Sequence, residues 1–213
     1  MPIVPLVTAI VAGAFALLVL GRWVRRRRPY QLSWGVGLTM FAIAAFAGYL
    51  HRTSGATENE YRLFYLFGAI LNVAWLALGT IYLLAPRRVA TASLVAVLVL
   101  SALGLFAVVT SPVDPQAAAD TGRGFDSSPL PRILAGIGSG LGALVLFGGA
   151  VWSAYRFART RTAGRRTIAN VLIAVAVVIF SVGGTAAFTG TSGVLEWANL
   201  GGLVVLFAGF LLA

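Results

Sequence analysis

Apolar residues run in long blocks along the chain, broken by short polar joints. Seven of these blocks reach the ~20 mostly apolar residues that a helix needs to cross a bilayer. They cover residues 3–23, 32–50, 63–84, 89–110, 133–152, 168–188 and 194–213. Little of the chain remains between them, so the pattern predicts an all-α integral membrane protein. Residues 1–213 form one seven-transmembrane-helix bundle with no soluble domain. The first block is not expected to be a cleaved signal, because residues 1–5 hold no basic side chain and the positive cluster follows the apolar stretch.

Charge in the joints orients the bundle. Arg22, Arg25, Arg26, Arg27, Arg28, Arg87, Arg88, Arg156, Arg159, Arg161, Arg165 and Arg166 fall in the first, third and fifth joints. Arg52, Arg62, Arg123, Arg132 and all six carboxylates fall on the other side. By the positive-inside rule the N-terminus is expected outside and the C-terminus inside, in the plasma (inner) membrane. The net charge of +10 then becomes an arginine collar for anionic lipid head groups, and not a nucleic-acid surface, since the joints lack interleaved aromatics.

Composition agrees and excludes chemistry. Hydrophobic residues make up 59% and charged residues 10%, against about 45–50% and about 25% for soluble domains. Mean hydropathy is +0.92. There is no Cys and no Lys, and His51 is the single histidine. A retinal Schiff base needs a lysine amine, so covalent retinal is excluded. Haem, zinc and Ser-His catalysis are not expected either, and no cofactor or metal is assigned. Microbial rhodopsins need the missing lysine, and progestin- and adiponectin-receptor-type hydrolases need several histidines. Sugar-efflux (SWEET) transporters carry Pro-Gln pairs, whereas Pro115-Gln116 lies in a joint. No characterised family is recognised.

Two strings suggest a parallel 3+1+3 repeat. Thr53-Ser54-Gly55 precedes Glu58, and Thr191-Ser192-Gly193 precedes Glu196, 138 residues apart in each case. The same strings are also ordinary helix-start signatures. The long joint over residues 111–130 is rich in Pro, Asp and Gly, and reads either as a connector or as a lid.

The third span carries the most distinctive face. At spacings of three and four it reads Glu58, Tyr61, Tyr65, Gly68, Asn72, Trp75, Gly79 and Tyr82, while its other faces are apolar. Asn72 lies near the middle of the bilayer and needs a partner, for which Ser181 and Thr39 are the candidates at similar depth. Either this stripe is helix packing glued by Asn72, or Tyr61, Tyr65, Gly68, Asn72, Trp75 and Gly79 line a cavity with Ser181 and Thr39.

The fifth span holds Gly136, Gly138 and Gly142, with Gly138 and Gly142 at GxxxG spacing for close helix approach within the bundle or in a homo-oligomer. Its Ser139 neighbourhood resembles a rhomboid protease motif only in part, since Ile137 stands where that motif has Gly. Glu58, Arg62, Arg132, Glu196 and Asn199 gather at the outer end, with Glu58–Arg62 and Glu196–Arg132 as the expected pairs. The expected function is non-enzymatic binding, sensing or transport of a small, largely apolar ligand in a cavity lined by the third helix. The alternative is an accessory or scaffold subunit that associates through the Gly-rich fifth helix.

Overall fold

The computed structural model describes residues 3–53, 57–119, 123–159, 164–189 and 192–212. Seven long helices are present: α1 (Ile3–Arg26), α2 (Pro29–Thr53), α3 (Glu58–Leu84), α4 (Arg87–Thr110), α5 (Pro129–Arg159), α6 (Gly164–Phe188) and α7 (Ser192–Leu212). Each is long and apolar enough to cross a membrane, which makes the chain a multi-pass helical membrane protein. Most helices outrun their apolar blocks by a few residues, because polar caps finish the ends. α3 starts on a capping box in which Thr57 N–H donates to Glu60 and Glu60 N–H donates to the Thr57 hydroxyl, at 3.2 and 3.4 Å. The cap is therefore Thr57, and the Thr53 of the repeated string is the last residue of α2. Ser54, Gly55 and Thr191 of those strings lie outside the described residues.

The α1–α2, α3–α4 and α5–α6 joints share one end of the bundle, called here the arginine end. The joints with the carboxylates form the acidic end.

Six helices close a ring. α1 packs on α2, α2 on α3, α3 on α5, α5 on α6, α6 on α7, and α7 returns to α1. α4 stays outside this ring, seated in the groove between α3 and the first turns of α5. Its Leu and Val side chains are largely exposed, as a lipid-facing helix requires. The chain thus runs three helices, one peripheral helix and three more. Packing within the ring rests on small residues. Gly183 lies against Ala198, Gly202 against the Phe180 ring, and Gly209 against the Ala169 carbonyl.

α3 and α5 each contain one widened turn. Residues Tyr65–Leu71 and Gly136–Leu141 form π-helix, with the Asn72 N–H reaching back five residues to Phe67 O. The two widened turns meet. The Ser139 hydroxyl donates to Ala69 O at 2.5 Å, a carbonyl made available by the irregular turn. Gly138 sits on the Ile70 carbonyl so closely that a Cβ would overlap it, and a Cβ on Gly142 would come 3.0 Å from the Val73 carbonyl carbon.

Gly138→Ala should therefore lower stability by about 1–3 kcal/mol. Gly148→Ala, at an exposed position where a Cβ meets nothing, should gain about 0.5–1 kcal/mol. Thermal unfolding of both purified variants in one detergent checks this contrast.

Candidate functional site: a cavity along the bundle axis

The ring surrounds a cavity of about 410 Å³. It is lined by α1, α2, α3, α5, α6 and α7, and α4 contributes nothing to it. On α3 the lining runs from Phe64 to Thr80, which at 1.5 Å per residue is about 24 Å along the axis. The void is therefore a long channel, and its character changes along its length. Its arginine half is walled by Phe15, Val19, Leu38, Leu146, Leu206 and Phe210. The acidic half holds nearly all the polar lining: Tyr65, Asn72, Ser139, Ser181, Thr185 and Asn199.

Two of these polar groups are buried without a protein partner. Tyr65 is 1% exposed and its hydroxyl makes no hydrogen bond. Asn72 is 3% exposed; its Oδ1 accepts the Val73 N–H at 2.6 Å, and its Nδ2 has no partner among the described residues. Ser181 and Thr39 do not bond to Asn72. Each hydroxyl donates to the carbonyl four residues back in its own helix, Val177 O and Gly35 O, both at 2.8 Å. In an apolar helix that local bond is always within reach, so neither hydroxyl needs a distant amide.

Tyr65, Gly68 and Asn72 line the channel, and beyond Asn72 the lining continues at Leu76 and Thr80, at the four-residue spacing of a regular helix, and not at Trp75 and Gly79. Trp75 faces α4, its indole N–H donating to the Ser101 hydroxyl at 3.4 Å. Gly79 lies under the Trp34 indole, whose N–H donates to Leu76 O at 3.1 Å.

Tyr61 lies beyond the acidic end of the channel and holds down residues 123–128 of the loop. Its hydroxyl accepts the Gly124 N–H at 2.8 Å, and Phe125, fully buried, inserts beside the Tyr61 and Tyr65 rings. His51 Nε2 lies 3.1 Å from Ala118 O, and Arg62 donates to Ser111 O at 2.8 Å. These four anchors seat the loop over α2, α3 and α4. A single turn of helix, Pro115–Ala119, lies within it.

Glu58 and Arg62 pair as expected. Glu196 and Arg132 do not. Arg52 Nη2 lies 2.6 Å from Glu196 Oε1, bridging α2 to α7, and Arg132 pairs with Asp126 at 3.2 Å. The reason is reach: the seated loop puts Asp126 beside the start of α5, while α2 and α7 share the opposite wall of the ring. Glu196 is 9% exposed, and its contact with Arg52 is a charge contact without hydrogen-bond geometry. A small recess of about 40 Å³ beside this pair shares Ala45, Phe64, Leu195 and Asn199 with the main channel. At the arginine end Arg22 lies over the Phe210 ring, 4.4 Å from its centroid, above the narrow apolar floor.

Gly138 and Gly142 face α3, whereas Gly136 lines the channel. Sequence reasoning missed the two π turns, the Ser139–Ala69 bond, the Arg52–Glu196 pair and the anchors of Phe125 and His51. Only Ser139, placed among glycines, carried a signal for any of them. Among the described residues no group of three or more His, Asp or Glu side chains converges as a metal site. No protein-family model, curated protein or solved structure matches the chain.

Tyr61→Phe removes the acceptor of the Gly124 N–H, a loss of about 1 kcal/mol. Hydrogen exchange over residues 112–127 should speed up roughly fivefold, with the helix-core amides unchanged.

Proposed function

We propose that the protein binds a small, largely apolar molecule in the axial channel, as a binding, sensing or transport bundle and not as an enzyme. The observation that carries this reading is the 410 Å³ void lined by Asn72, whose Nδ2 has no partner among the described residues. Its size falls in the range of small-molecule pockets, about 300–1,000 Å³. An occupant fills this space, and one polar handle on it satisfies the Asn72 Nδ2.

The same reading puts the chain in the plasma membrane with its N-terminus outside. The arginine end then faces the cytoplasm and anionic head groups. It assigns no cofactor, metal or nucleic acid. A scaffold role through α5 has less to stand on, since Gly138 and Gly142 are occupied by α3 inside the bundle.

Native mass spectrometry of the purified protein should show a stoichiometric small-molecule adduct. Gly184 lines the channel at a position where a Cβ meets open space. Gly184→Leu should therefore reduce the adduct about tenfold and leave thermal stability unchanged or higher. Absence of any adduct, or undiminished binding by the filled variant, overturns the reading.

A further inference from the structure

We propose that the channel takes its occupant sideways from the hydrocarbon of the bilayer, through a slit between α5 and α6, and that this occupant is a membrane-resident amphiphile with a single hydrocarbon chain and a small hydrogen-bond-accepting head. This rests on the proposed binding function and adds the source and chemical class of the ligand.

Side-chain contacts cross the bundle at both ends. At the acidic end, the loop anchored by Phe125, Tyr61 and His51 packs on the α2–α4 side, and the Arg52–Glu196 contact ties α2 to α7 on the other. At the arginine end, Arg22 lies over Phe210. The lateral wall is not uniform. α6 packs closely on the Gly142–Arg159 part of α5, but residues 129–141 of α5 form no comparable contact with α6. The two helices splay toward the acidic end.

Solvent exposure of the lining follows the same division. Leu203, Leu38 and Asn72 on the other walls are buried. Gly136, Gly140, Ser181 and Thr185, on the facing edges of α5 and α6, are exposed although they line the channel. A Cβ built on Gly136, Gly140 or Gly184 meets nothing within 4 Å. The opening is therefore edged by glycines and hydroxyls, and it lies at membrane depth beside lipid-facing Ile137 and Val182.

The interior chemistry names the class of guest. A molecule passing through this slit enters the acidic half, where the Asn72 Nδ2 offers an unused donor inside a side chain 97% buried, its exposure being 3%. Below Asn72 the walls are mostly apolar, and the Thr80 hydroxyl and Trp34 indole N–H are both spent on Leu76 O, so a hydrocarbon chain fits where a polar solute does not. Head toward Asn72 and tail toward Phe15 and Phe210 is the arrangement that matches both halves.

The chain has no cysteine, so the slit can be blocked after folding. The full-length protein is reconstituted in phosphatidylcholine vesicles containing a palmitic acid analogue with a mid-chain diazirine. Photolysis and peptide mapping then locate the adducts. Labelling is expected on channel residues such as Leu76 and Leu206, in addition to the outer surface. Gly140→Cys, modified with N-benzylmaleimide once reconstituted, should lose channel labelling about tenfold and keep surface labelling. The same modification on Gly148→Cys, exposed and remote from the channel, should change nothing. Channel labelling that survives the Gly140 block overturns the lateral slit while leaving the binding function intact. Labelling confined to the outer surface, in a protein that still carries a native adduct, overturns the single-chain amphiphile.

Discussion

The approach of α3 to α5 at their two widened turns is the contact on which the other features depend. Gly138 has no Cβ, so the Ile70 carbonyl can rest on it, and Ser139 caps the neighbouring carbonyl of Ala69. In hydrocarbon, an unpaired backbone carbonyl is costly, and a π turn in a membrane helix persists only where a neighbour satisfies it. The α5 turn therefore stabilises the α3 turn. The contact joins the first three helices to the last three on one side of the ring; α1 against α7, with the Arg52–Glu196 contact, joins them on the other. With the ring held at two seams, the centre need not be filled by side chains.

That arrangement explains why α4 is dispensable to the channel. It covers the α3–α5 seam from outside, takes the Trp75 indole on Ser101, and leads into the loop packed on the acidic end of α2 and α3. Its contribution is to brace the seam and to deliver Phe125 to the Tyr61–Tyr65 pair.

Much of this was legible in the order of residues. Block length gave seven helices, because a bilayer imposes one length on every span. Missing polar caps made the predicted ends short, since Thr57 and the basic last turns lie outside any apolar count. The unusual face of α3 was visible up to Asn72 and misplaced at Trp75 and Gly79, because steps of three and of four residues both keep to one helix face and only the neighbours decide between them. No local signal in residues 65–71 marks the π turn; it is fixed by Gly138 and Ser139 on another helix. The ionic pairs were misread for a related reason. Glu196 and Arg132 share a depth, but partners are chosen around the ring, and the ring order is a long-range property.

The paired π turns also bear on how this chain tolerates changes of length. A π turn is one residue more than an α-helix needs, and each residue turns a helix by about 100°. Deleting a single residue from 65–71 would relax that turn to α and leave the helix beyond it nearly in place, so Leu76 and Thr80 would still line the void. The same deletion in the regular turns after Asn72 would rotate everything beyond it by about 100°. In this protein a one-codon deletion is therefore absorbed in a widened turn, at the expense of the contact between the two turns, and disruptive a few residues further on.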